Sequence, residues 1–97
     1  MRLLIREEQR GKNPRNGKMR VRKTDKKSIS CTVGKTVTFE KGKTSFEITE
    51  VSEDEVLFVV LYAEERYNKA WKLKKGENTF YKPANIDDGY IYLFRLK

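Results

Sequence analysis

Side-chain character along this chain alternates with a period of two, is interrupted by turn residues roughly every 8 to 12 positions, and nowhere sustains a helical period. A chain of that rhythm folds as antiparallel strands packed in layers, because each strand must bury one face against a second sheet. The clearest strand covers 56–62, a continuous run of Val, Leu, Phe and Tyr that reads as buried on both faces. In 90–96, Tyr90, Tyr92, Phe94 and Leu96 share one face and Ile91, Leu93 and Arg95 the other. These two segments are expected at the centre of the core. Residues 35–41 and 44–51 alternate around Val37, Phe39, Phe46 and Ile48 and read as a hairpin closed at Lys41-Gly42-Lys43. Shorter strands are expected at 70–74 and 79–81, with turns at 75–77 and 85–89.

The first third is more polar. Leu3 and Ile5 alternate with Arg2, Leu4 and Arg6, which suits a short edge strand at 1–8, with a single turn of helix fitting almost as well. Residues 9–17 hold two Gly, two Asn and a Pro and read as a loop, with Asn16-Gly17 a strong turn signal. In 18–23, Met19 and Val21 face one way and Lys18, Arg20 and Arg22 the other, the pattern of a half-buried strand with a cationic outer face. A turn is expected at 24–27 and a short strand at 28–33. The fold class that follows is all-β, a small antiparallel sandwich, with a small partly open barrel as the alternative and at most one short helix, best placed at 62–70.

Length and composition bound the rest. Ninety-seven residues suffice for one domain with one core. Leu, Ile, Val and Phe make up a quarter of the chain, which is enough to fold it despite 37% charged residues. The charge is unevenly placed. Residues 1–30 hold 11 Lys and Arg against three acids, a net +8, whereas 31–97 hold 11 of each. Every aromatic lies between Phe39 and Phe94. The chain therefore divides into a basic segment, 1–30, expected to form a hairpin with its loop at 9–17, and an aromatic-rich body, 31–97.

Several chemistries find no support. With no His and a single Cys, neither a disulfide framework nor the common zinc ligand sets can be assembled, and a reducing, cytoplasmic setting fits best. Apolar runs are too short for a signal peptide or a membrane span. Gly34-Lys35-Thr36 and Gly42-Lys43-Thr44 lack the upstream Gly of a phosphate loop, having Ile29 and Val37 in its place, and read as turns that use Gly for positive φ. Glu53-Asp54-Glu55 and Asp87-Asp88 read as charged turns rather than cation ligands. Cys31 lacks a base and reads as a small core residue. No enzyme and no cofactor is expected.

What remains is the basic segment. Arg10, Lys12, Arg15, Lys18, Arg20, Arg22, Lys23, Lys26 and Lys27 supply the cation density that holds a polyanion by counterion release. The expected function is a non-enzymatic binding module whose basic hairpin contacts an acidic partner, with nucleic acid leading. The alternative is a protein-interaction module that docks through a sheet edge or an aromatic patch at Tyr67, Trp71 or Tyr81, its basic face serving solubility. Membrane binding is not expected, because the segment lacks an amphipathic apolar face.

Overall fold

The computed structural model describes residues 1–12, 15–62, 65–83 and 89–97, with the backbone alone at 12, 19, 62 and 65–68. The described residues form eight strands and no helix: β1 (Arg2–Lys12), β2 (Met19–Ser30), β3 (Thr36–Phe39), β4 (Thr44–Val51), β5 (Glu55–Tyr62), β6 (Glu65–Lys74), β7 (Asn78–Tyr81) and β8 (Gly89–Leu96). They build two antiparallel four-stranded sheets, in the orders β2-β1-β8-β7 and β3-β4-β5-β6. The hairpin β1-β2 opens the first sheet, a four-stranded meander makes the second, and β7-β8 returns so that β8 seats beside β1. Since the two sheets share no ladder, the fold is a sandwich rather than a closed barrel.

The period-two pattern explains which face each strand buries. Leu3 and Ile5 of β1, Val37 and Phe39 of β3, Phe46 and Ile48 of β4, Val56, Phe58 and Val60 of β5, Leu73 of β6, and Tyr92, Phe94 and Leu96 of β8 form one core between the sheets. Phe46 is its hub. Its ring meets Tyr92 and Phe94 edge-on at 5.1 and 5.0 Å, and Phe39, Phe58, Trp71 and Tyr81 within 6.5 Å. Edge-to-face contacts of this kind each add about 0.5–1.5 kcal/mol beyond the burial of area.

Edge residues close the two open sides of the sandwich. On one side Lys27 of β2 lies 5.3 Å from the Phe39 ring and donates to the Thr38 carbonyl of β3. On the other, Trp71 of β6 stacks on Phe58 and meets Tyr81 of β7 at 4.9 Å.

One polar contact is built into the core. The Tyr92 hydroxyl donates to Glu7 Oε2 at 2.7 Å, and both residues are buried. Gly42 lies against this pair: a Cβ there would sit on the Tyr92 oxygen and 2.7 Å from Glu7 Oε2. Gly42 is thus required by contact and not by positive φ, which falls instead on Lys43. Gly34 and Gly17 do take positive φ at their turns.

Several local expectations are corrected. Residues 2–8 belong to an interior strand of 11 residues, not to a short edge strand, because both β2 and β8 pair with it. Residues 9–12 extend β1 instead of opening a loop. The turn expected at 24–27 lies inside β2, where Thr24, Asp25, Lys26 and Lys27 face Glu8, Glu7, Arg6 and Ile5. Residues 65–70, the core of the expected helix, pair with β5 as strand β6. Strand β5 is sealed on one face only, since Leu57, Val59 and Leu61 are half-buried on the outer face of the second sheet. Val21, expected inside, is 45% exposed.

Candidate functional site

The basic segment becomes a long two-stranded arm. β8 pairs with β1 as far as Arg10, so Gly11 and Lys12, with Arg20 and Met19 opposite them, carry the β1-β2 hairpin past the sheet that supports it. A bulge marks the departure: Gln9 faces Lys23 and Arg10 faces Val21, leaving Arg22 as the extra residue. The Arg22 guanidinium lies on Gly11, where a Cβ would approach Nε to 2.9 Å. At the turn Asn16 Oδ1 accepts from the Lys18 backbone N–H at 2.9 Å, and Gly17 takes φ 69°.

The nine expected cations do not form one patch. Arg15, Lys18 and Arg20 stand exposed on the part of the hairpin past the last β1-β8 pair, and exposed Arg22 and Lys23 lie just behind them. Lys12 side-chain placement falls outside the described residues. Arg10 is tied down, with Nε and a terminal nitrogen 3.1 and 2.7 Å from Glu8 Oε1. Lys27 is engaged across the sandwich edge, as described above. Lys26 points outward beside Arg6, on the face of the first sheet that is turned away from the core. The bulge also breaks the expected alternation, so Lys18, Arg20 and Arg22 are not one regular face of a half-buried strand.

Of the expected aromatic contacts, the Tyr67 side chain lies outside the described residues. Trp71 and Tyr81 are half-buried and packed against the core. Among the described residues the exposed ring is Phe80, at 59%. It was missed because 79–81 presents two aromatics in succession, and only the inward turn of Tyr81 against Tyr92 sends Phe80 outward.

Phe80 borders a groove of about 970 Å³ on the outer face of the first sheet. Register defines its floor. Lys26, Arg6, Leu93 and Phe80 follow one another across β2, β1, β8 and β7, and Ser28, Leu4, Arg95 and Asn78 make the next row. Among the described residues no carboxylate lines this groove. On the same face Glu8, one row beyond Arg6, is buried between Arg6 at 3.1 Å and Arg10 at 2.7 Å. Arg6 and Arg95 each fall on the more polar face of their strand's alternation, but their adjacency to Phe80 depends on the strand order.

Two titrations are displaced. Burial pushes the Tyr92 phenol well above its ordinary 10.0, with the Glu7 contact adding to the effect. Burial likewise pushes the Cys31 thiol up, against the opposing pull of the N-terminal ammonium and Arg2. Among the described residues no group of three or more Cys, Asp or Glu is placed to hold a metal ion, and no helix is long and apolar enough to cross a membrane. No family model, curated protein or solved structure matches this chain.

Proposed function

We propose that this protein is a binding module without catalytic activity, and that its β1-β2 hairpin is a polyanion-binding arm whose leading ligand is nucleic acid. The observation that carries the reading is the exposed cationic end of the hairpin: Lys18 and Arg20 lie past the last β1-β8 pair, Arg10 with Gly89, and Arg22 and Lys23 stand exposed just behind it. Among the described residues none of these four has a carboxylate partner, whereas Glu8, behind the bulge, is paired. The sandwich supplies a rigid base, since β1 is laddered on both sides. A half-buried thiol in a chain with a single Cys accords with a cytoplasmic setting, which belongs to the same proposal.

The test is affinity for a labelled duplex oligonucleotide at about 50 and 200 mM salt, over which a contact with several phosphates loses orders of magnitude. The reading expects salt-sensitive binding that is abolished by Arg20→Glu with Arg22→Glu. Absence of binding at the lower salt, with the fold intact, refutes it and leaves the arm as solvated surface.

A further inference from the structure

We infer that the outer-face groove of the first sheet is a platform for single-stranded nucleic acid, with Phe80 as its base-stacking ring and Arg6, Lys26 and Arg95 as its phosphate contacts. The inference rests on the polyanion reading of the hairpin and names the ligand class the molecule prefers.

Three observations carry it. First, cations and apolar groups interleave: Lys26 and Arg6 precede Leu93 and Phe80 in one row, and Leu4 precedes Arg95 in the next. Strands lie about 4.8 Å apart and same-face neighbours about 6.8 Å apart, so each apolar position has a cation within one or two such steps. A ligand that repeats an anion and a flat apolar group in every unit matches this pattern, and a single-stranded nucleic acid is such a ligand. Second, the charge is one-signed, with no carboxylate in the lining among the described residues and the buried Glu8 held by two arginines. Third, the groove and the arm are built on the same hairpin. Lys26 and Arg6 stand on β2 and β1, which run on into the arm, with Arg10 on the groove's face and Arg20 and Lys23 on the opposite one.

A duplex uses only part of this surface. Its bases are stacked on one another, so it offers phosphates to the cations and nothing to Phe80, Leu4 or Leu93. An unpaired base presents a free π-face, and Phe80 is open to receive it at 59% exposure. Arg6 and Arg95 can add stacking through their guanidinium planes.

The experiment is fluorescence anisotropy of a short oligothymidylate and of a labelled duplex at about 50 mM salt. The proteins are wild type, F80A, R95E and the R20E/R22E double variant, each checked for an unchanged thermal transition. Phe80 and Arg95 are exposed, so neither exchange removes core packing. The expected result is tighter binding of the single strand than of the duplex. F80A should weaken the single strand by about tenfold, the scale of one base–ring stack, and leave the duplex within about twofold. Equal affinity for both ligands, or an F80A protein that binds the single strand like wild type, overturns the inference; sensitivity of both ligands to R20E/R22E would then preserve the hairpin reading. Failure of every oligonucleotide to bind removes that reading as well. Capture in the groove of a peptide alternating Glu and Phe, with no oligonucleotide competing for it, overturns the ligand class.

Discussion

Replacing Gly42 with Ala tests the packing of the core more sharply than any truncation. Gly42 does not sit at positive φ, and at such positions Gly→Ala ordinarily stabilises by about 0.4–1 kcal/mol through the unfolded chain. Here the added methyl would fall on the Tyr92 hydroxyl and 2.7 Å from Glu7 Oε2. Tyr92 is fully buried and its ring is held by Phe39 at 5.4 Å and Phe46 at 5.1 Å, so it has little room to retreat. Overpacking costs about 1–3 kcal/mol, and leaving a buried hydrogen-bond partner unsatisfied about 1–3 kcal/mol. Allowing for partial relaxation, G42A should destabilise by about 3 kcal/mol, a fall in melting temperature of roughly 10–20 °C for a domain of this size. Urea unfolding should show a lower midpoint at unchanged slope. In a Tyr92→Phe background the clashing oxygen is gone, so the same Ala should cost at least about 1.5 kcal/mol less, a coupling that a double-mutant cycle isolates. A stabilising G42A, or an equal cost in both backgrounds, would refute the reasoning.

Other consequences can be checked independently. Phe46→Ala empties the hub of the aromatic core and should cost about 3–5 kcal/mol in urea unfolding. Because the folded Tyr92 phenol titrates above its unfolded value of 10.0, the stability it contributes is complete below that pH and declines as pH rises above it; Y92F should flatten this alkaline decline in equilibrium unfolding. Glu8→Gln frees Arg6 and Arg10, so it should lower stability by about 1 kcal/mol while tightening oligonucleotide binding, a pairing of effects that equilibrium unfolding and anisotropy would together detect. Cys31 should react with a thiol reagent more slowly at neutral pH than a free cysteine does, and denaturant should abolish the difference.

The strands legible in the sequence are those whose own side chains announce a buried face. The alternation of Val37, Phe39, Phe46 and Ile48 specifies the β3-β4 hairpin, and the runs ending at Tyr62 and Leu96 supply β5 and β8, interior strands of the two sheets. Where the structure departs from the pattern, a neighbour has supplied what the sequence lacks. Residues 24–27 carry no apolar side chain, yet they extend β2 because β1 offers a ladder and an edge strand can turn polar groups to solvent. Residues 65–70 become strand for the same reason, with β5 as template and a register shift between Val59 and Leu61 to absorb the mismatch. The groove was hidden for a different reason. Arg6 and Leu93 lie 87 positions apart, and only the insertion of β8 beside β1 makes them neighbours. Charge partition pointed to the hairpin arm but not to the face from which it emerges.

The central claim is that the arm binds polyanions through its exposed cations, and the salt dependence of duplex affinity measures this most directly. If four or five phosphates are neutralised, log affinity should fall against log salt with a slope near −4, and the R20E/R22E protein should lose about two units of that slope along with most of its affinity. Binding whose slope is unchanged by the double exchange, or no binding at about 50 mM salt, would contradict the account.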